Sequence, residues 1–277
     1  MFSLIVATLG RTDELIAFLE SLVAQSERNF EVIVVDQNPD ERLEPVIARF
    51  GDKFPLRHLR SPIGLSRARN CGLAVTKGDL VAFPDDDCIY PPDLLGKVQS
   101  RLQEQTPLAG ITCISRDTNG LPSGPRWLKV AGPVTKEKVW RQAVSYTIFL
   151  RRSAVEAIGP FDQRLGLGAT SPSQAGEETD YLLRALHQKL SLYFDPSLHV
   201  IHPRKAGQGR AQMNLVRSYG YGLGKVVALH RYSLAFKLCL LGGPIVRCLS
   251  YGLTTRYQRA GLECATLFGR LSGLLSR

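Results

Sequence analysis

The sequence predicts an α/β protein with a doubly wound, mainly parallel sheet, helices on both faces and a helical appendage at the C-terminus. Three observations carry that expectation. Short apolar, β-branched runs alternate with amphipathic stretches from the N-terminus onward. Polar residues stand at the C-terminal ends of successive runs, at Thr8, Asp36 and Asp85–Asp87, where open parallel sheets bind their ligands. Beyond residue 205 the strand-like runs stop, and bases, aromatics and glycines mix. The 277 residues therefore divide into a domain over 1–205, long enough for a sizeable core, and a tail over 206–277.

Leu4–Ala7 is a buried-type strand that stops at Thr8-Leu9-Gly10-Arg11. A helix follows over 12–25: Leu15, Phe18, Leu19, Leu22 and Val23 keep the helical period, and Asp13 and Glu14 suit the positive end of its dipole. Glu31–Val35 is the second strand, ended by Asp36. Asn38-Pro39-Asp40 breaks the chain before a helix over Leu43–Phe50. A strand over Leu56–Leu59, a helix over Leu65–Val75, a turn at Lys77-Gly78-Asp79 and a strand over Leu80–Phe83 come next, and Pro84 stops the last. Further on, Thr118–Pro125 is a loop and Ser145–Leu150 a strand. A glycine-rich loop over Gly166–Gly176 opens a short helix with Leu182, Leu183 and Leu186. Leu190–Phe194 and Leu198–Ile201 are two late strands, the second ending at His202.

Six scattered cysteines without a CxxC pair argue against a disulfide framework or a zinc site and favour a reducing cytoplasm. The first apolar run, Leu4–Leu9, is too short for a signal peptide. Near the end, the longest apolar run is Leu238–Val246, closed by Lys237 and Arg247. A membrane span needs about 20 residues, so no segment is expected to cross a bilayer. Residues 203–277 carry 12 Lys and Arg against one acid, Glu263, whereas 1–202 carry 23 bases against 24 acids. The whole excess of the +10 chain lies in the tail, which points to an anionic partner. No recognition motif for nucleic acid accompanies it.

Asp85, Asp86 and Asp87 are three like charges in a row. At the rim of a parallel sheet, a hard cation such as Mg²⁺ or Mn²⁺ would offset their repulsion, with a nucleotide diphosphate supplying its other oxygens. The bound metal would stabilise the diphosphate as a leaving group.

Five segments in order, SLIVATLGR, EVIVVDQNPD, GLSRARNCGLAVTKGDLVAFPDDDCIYPPDLL, GPFDQRLG and GEETDYLLRAL, resemble the family-two inverting glycosyltransferases of the GT-A fold, over residues 2–205. The resemblance implies a Rossmann-like GT-A domain, with a nucleotide-binding half over 1–110 and an acceptor half over 111–205. It implies donor contacts from Thr8, Arg11, Asp36, Arg69, Asn70, Asp85 and Asp86, and metal binding by Asp87, Asp85 and His202. Gln37 stands where the family carries a second acid, which leaves nucleotide-base selectivity open. Arg67 reads as a solvated helix charge, and His199 as packing or surface. An inverting enzyme needs a base for the acceptor hydroxyl. Glu178 stands at the family's base position, with Asp180 and Glu177 beside it; all three also suit a helix N-terminus.

The expected function is transfer of a sugar from a nucleotide diphosphate sugar, with Mg²⁺ or Mn²⁺, to a hydroxyl of a glycan or lipid-linked acceptor in cell-surface polysaccharide synthesis. Two alternatives stay open: a catalytically inactive nucleotide-sugar-binding protein and a nucleotidyltransferase. In the tail, Tyr257, Ala260, Cys264, Leu267, Phe268, Leu271 and Leu275 share one helical face. That face either packs on the domain or docks on an anionic membrane surface from the cytoplasmic side.

Overall fold

The computed structural model describes residues 1–104, 107–203 and 209–276. The chain opens with β1 (Phe2–Thr8), α1 (Asp13–Val23), β2 (Phe30–Asp36), α2 (Glu44–Phe50), β3 (Leu56–Arg60), α3 (Leu65–Leu73) and β4 (Leu80–Ala82). These are the elements expected from the pattern, with ends moved by a residue or two. Then come α4 (Leu94–Glu104), β5 (Gly110–Arg116), β6 (Pro122–Ser123), β7 (Gly132–Pro133), β8 (Ile148–Arg151), α5 (Arg152–Ile158), α6 (Glu177–His187) and β9 (Leu192–Ile201). Three helices close the chain: α7 (Gly209–Leu229), α8 (Leu234–Leu253) and α9 (Tyr257–Leu275).

The strands form one sheet in the order β3-β2-β1-β4-β8-β5-β9-β7, with β6 on β5. β1 pairs in parallel with β2 on one side and β4 on the other, and β5 pairs in parallel with β9. β8 is antiparallel to both β4 and β5. The chain winds outward from β1 to β3, then returns to lay β4 on β1's other side. That reversal opens a crevice at the C-terminal ends of β1 and β4. Leu4, Ile5 and Val6 are fully buried, as a central parallel strand requires. On one face Leu4 and Val6 join Phe18 and Leu22 of α1 and Leu95 and Val98 of α4 in the core; on the other, Ile5 meets Gly72 of α3, where a Cβ would overlap it. Full burial of such side chains contributes about 1.5–3 kcal/mol each.

Two expectations about the sheet change. The late strands are halves of one strand, β9, whose register against β5 shifts between Cys113 and Ile114. The break in the sequence is a bulge at Asp195-Pro196-Ser197, where the Asp195 carboxylate accepts from the Ser197 amide (2.9 Å). Ser145–Thr147 is a 3₁₀ turn ahead of β8 rather than part of it.

The chain divides into two compact units. The first, Met1–Ile63, Arg67–Phe161 and Tyr181–Arg204, contains the sheet. The second gathers Gly64–Ser66 and Asp162–Asp180 with the tail from Lys205 on. The expected boundary at 205/206 lies outside the described residues.

Within the second unit, α7 and α9 meet along a seam of glycines. A Cβ on Gly220 or Gly224 of α7 would run into the carbonyl oxygen of Thr266 or Arg270; one on Gly269 or Gly273 of α9 would run into that of Arg217 or Tyr221. Each helix carries the small-xxx-small spacing that lets backbones touch. Arg247 of α8 donates two bonds to the Glu263 carboxylate of α9 (2.8 and 2.9 Å), and Arg270 of α9 donates to the Leu240 carbonyl of α8 (2.6 Å).

α8 corrects the expectation that no segment is long enough to span. It is one 20-residue helix, long and apolar enough by length and composition to cross a membrane, and almost none of it is buried. At 1.5 Å per residue it is about 30 Å long, the thickness of a bilayer core. Counting uninterrupted apolar residues stopped at Lys237 and Arg247. On a helix, Leu234, Leu238, Ile245, Val246, Leu249 and Leu253 form a continuous exposed stripe that avoids both bases.

Candidate active site

The acid triad stands where β4 ends beside β1. Asp85 still pairs with Ala7 as an isolated parallel bridge, and the chain then turns. Two clamps fix the exit of that turn. The Gln25 amide of α1's C-terminal end donates to the carbonyls of Tyr90 (3.1 Å) and Pro91 (2.7 Å). Ile89 exchanges backbone hydrogen bonds with Ile201 at the end of β9 (2.8 and 3.0 Å). The second clamp brings His202 to the acids: its Nε2 lies 3.1 Å from Asp87 Oδ1. Tyr146 stacks on the imidazole at 4.5 Å and 6° between planes.

Thr8 and Arg11, on the loop after β1, reach the same acids. Thr8 Oγ1 donates to Asp86 Oδ2 (2.7 Å), and Arg11 Nη1 bridges Asp86 Oδ1 (2.5 Å) and Asp87 Oδ2 (3.0 Å). Burial lowers the Arg11 pKa, but the charges of Asp86 and Asp87 outweigh it and raise the pKa above its ordinary value. Asp86 is raised, chiefly by burial, against the pull of Arg11 and Thr8. Asp85 is raised to about 6; burial is the largest cause, Arg69 opposes it and Asp87 adds to it. The Asp85 carboxylate accepts from Arg69 Nη2 (3.4 Å) and Ser145 Oγ (3.3 Å).

A hard divalent cation fits this donor set. One oxygen of Asp87 and a ring nitrogen of His202 lie within 4.8 Å of each other and of Cys88 Sγ, so a carboxylate and an imidazole can share an ion and leave positions for phosphate oxygens. Burial raises the Cys88 thiol pKa well above its ordinary value, so the thiol keeps its proton and does not suit a hard ion. Asp85, expected in the metal set, is not in this group; its carboxylate is turned to Arg69 and Ser145.

Asp36, at the end of β2, is fully buried. Its Oδ1 accepts from the Asn38 amide and side chain (2.8 and 2.7 Å), and its Oδ2 from Arg60 (2.7 Å), with His58 Nε2 at 3.0 Å. Burial alone would raise its pKa; the bonds from Asn38 and His58 outweigh it and hold the carboxyl below its usual range. Asn38 Oδ1 in turn accepts from the Gly10 amide (2.6 Å), so this cluster also fixes the loop that carries Arg11. Asn70 spends both ends of its amide on the backbone of Phe161 (2.9 and 2.7 Å). Arg69 is 1% exposed and lies over the Phe161 ring (5.6 Å).

The base candidates belong to the second unit. Glu177 and Asp180 are buried and Glu178 is half-buried, all in the first turn of α6. Gly166 (φ +98°) lies against the Glu177 carboxyl, where a Cβ would come within 3.1 Å. Asp180 Oδ1 is 2.8 Å from Nε2 of His230, at the end of α7.

Sequence reasoning missed His58, Arg60, Ser145, Tyr146 and His230 as neighbours of these acids. For His58 and Arg60 a signal existed: two bases two residues apart share one strand face, beside a strand that ends in an acid. His230 carried none, since its partner is 50 residues away.

Solved structures share this architecture. The mannosyltransferase PcManGT from Pyrobaculum calidifontis, in complex with GDP-Man and Mn²⁺, superposes with a TM-score of 0.68 at 15% identity, over 99% of this chain and 87% of that one. Residues 1–349 of S. aureus TarS, in complex with UDP-GlcNAc, give 0.62 at 17%, over 95% and 90%. The fold, with its acidic switch point, is that of a GT-A glycosyltransferase. Residues 3–159, more than half of the chain, match the profile of Glycosyl transferase family 2, and the protein belongs to that family. The succinoglycan biosynthesis protein ExoM of Rhizobium meliloti is 26% identical over 96% of this chain and 90% of its own. An uncharacterized glycosyltransferase of Haemophilus influenzae is 38% identical over 106 residues, about a third of its length.

Proposed function

We propose that this protein is a metal-dependent, inverting glycosyltransferase. It moves a sugar from a nucleotide diphosphate sugar to a hydroxyl of a glycan or lipid-linked acceptor in cell-surface polysaccharide synthesis. The observation that carries this is the Asp87–His202 pair set beside Thr8, Arg11 and Asp86 at the end of β1. ExoM's part in succinoglycan synthesis and the nucleotide sugars and Mn²⁺ held by the structural relatives support it.

Asp87 and His202 would hold Mg²⁺ or Mn²⁺, and the ion would supply positive charge to stabilise a diphosphate leaving group. Asp86, oriented by Thr8 and Arg11, and Asp85, engaged by Arg69, are the further acids that contact the donor. Asp36 and its bases hold the nucleoside end of the crevice in shape. Glu178 takes the proton of the acceptor hydroxyl as it attacks the anomeric carbon from the face opposite the leaving group. The test is calorimetry of UDP-GlcNAc and GDP-mannose, each with and without Mn²⁺, followed by assay of nucleoside diphosphate release. Mn²⁺-dependent binding of one donor, with slow release of its diphosphate, is expected. Pyrophosphate release from a nucleoside triphosphate instead would overturn the reading.

We also propose that the tail docks on an anionic membrane surface. The exposed stripe of α8 provides an apolar anchor, and the tail's bases attract acidic lipid at about 1 kcal/mol for each one near the surface. A lipid-linked acceptor would be met there.

A further inference from the structure

Resting on the transferase proposed above, we infer that the C-terminal tail positions the catalytic base, and that His230 is the positioning residue through which it acts. Three contacts inside the second unit fasten the base-bearing segment to α7. His230 Nε2 and Asp180 Oδ1 are 2.8 Å apart, with side chains 5% and 7% exposed. Gly222 of α7 lies against the backbone of Ala175; a Cβ there would run into the Ala175 carbonyl and crowd Ser173 Oγ. Gly176, at φ +95°, lies against the Val226 side chain and the Gly222 backbone. Glu177 and Glu178 follow immediately. The Asp180 amide donates to the Gly176 carbonyl (2.9 Å), so the helix begins at the point of attachment.

Helix geometry then separates the roles of the acids. Residues two apart on an α-helix project about 200° from each other. Asp180 and Glu178 therefore cannot serve one spot. Asp180 is turned to α7 and held by His230, and that hold fixes the rotation of α6's first turn. Glu178, half-buried, lies on the other side of that turn, so its direction is set by its neighbour. Asp180, weighed from the sequence as a base, becomes the anchor of the base. The tail's glycines fit the same role: Gly222 and the seam of α7 with α9 remove the play from the helix that carries His230.

The test compares full-length wild type with His230→Ala, His230→Gln, Asp180→Asn and Glu178→Gln. UDP-GlcNAc and GDP-mannose serve as donors with Mn²⁺; kcat, donor KM and melting temperature are read. A displacement of about 1 Å in a catalytic group costs on the order of 10²-fold in rate. His230→Ala should lose about that in kcat with donor KM unchanged. His230→Gln, whose amide can reproduce the Nε2 bond, should recover most of it. Asp180→Asn should lose at least tenfold less than Glu178→Gln. Wild-type kcat in His230→Ala overturns the inference. So does a loss that only follows the unfolded fraction or moves donor KM equally. Asp180→Asn as inactive as Glu178→Gln also overturns it, since Asp180 would then be the base. If His230→Ala does not fold, His230→Gln and Asp180→Asn carry the test alone. A wild type that binds neither donor with Mn²⁺ and releases no diphosphate removes the transferase itself, an outcome distinct from all of these.

Discussion

The two units of this chain spend their sequence differently. The first concentrates charge: four acids at the strand ends, each engaged by Arg, His or Thr from an element distant in sequence. The second concentrates glycine and exposed leucine; its helices touch backbone to backbone and turn an apolar stripe outward. The proposed donor site draws on charge held at the strand ends of a wide β-sheet. The proposed base and the proposed membrane-docking surface both draw on helices packed closely through small residues. If the comparison holds, lesions in the two units should separate donor binding from transfer.

The largest separation is expected from Asp87→Ala. It should abolish the Mn²⁺-dependent part of donor binding in calorimetry while the fold survives, because Arg11 keeps Asp86 as its partner. Unchanged metal dependence would place the ion elsewhere. Glu178→Gln should do the reverse. Transfer should fall by about 10²–10⁴ while donor affinity stays within error in the same titration. Leu238→Ser, Val246→Ser and Leu249→Ser combined should remove co-sedimentation with anionic vesicles and leave donor binding intact. Wild type should bind those vesicles, ignore neutral ones and come off in high salt as screening grows. A wild type that ignores anionic vesicles at low salt would end the docking proposal. Gly273→Val forces a side chain into the α7–α9 seam. Overpacking of this kind costs about 1–3 kcal/mol, so melting should drop by several degrees.

The smallest effect concerns pH. Asp85 has a folded pKa raised to about 6 from 3.8, so the native state binds more protons than the unfolded chain between those values. Its contribution to stability therefore falls as pH rises from about 4 to about 6. Added Mn²⁺ should restore stability at the upper end, since a nearby dication favours the charged carboxylate. Melting curves at pH 4.5 and 6.5, with and without Mn²⁺, measure this. Asp36, held below its usual range, contributes the opposite slope, so the comparison is with Asp85→Asn in the same buffers. A wild-type stability, relative to that variant, that grows with pH without metal would refute the assignment.

The N-terminal part of the sheet was legible because parallel strands buried on both faces read as continuous apolar runs that end in polar residues; Val32–Val35 before Asp36 is the plainest case. α4 and β5 went unread although Leu94, Leu95, Val98 and Leu102 hold a helical period. In the site, the acids at 85–87 stood out as like charges at a strand end and His202 through a family likeness, whereas the meeting of Asp87 with His202 depends on the Ile89–Ile201 bridge, which no local pattern announces. His230 was invisible for the same reason: it is one histidine among bases. α8 was misjudged by counting along the chain what a helix displays around its axis.

The glycine seam carries a consequence for how this protein can change over time. At Gly220, Gly224, Gly269 and Gly273 the opposing backbone occupies the space of a methyl group. Those four sites have no neutral replacements, and neither helix can slide by a residue without losing all of them together. The stripe of α8 is exposed and should accept exchange of one aliphatic side chain for another. Drift in the tail should therefore be broad in composition and rigid in spacing, so that two G-x-x-x-G pairs outlast the residues around them as the trace by which such a tail is known.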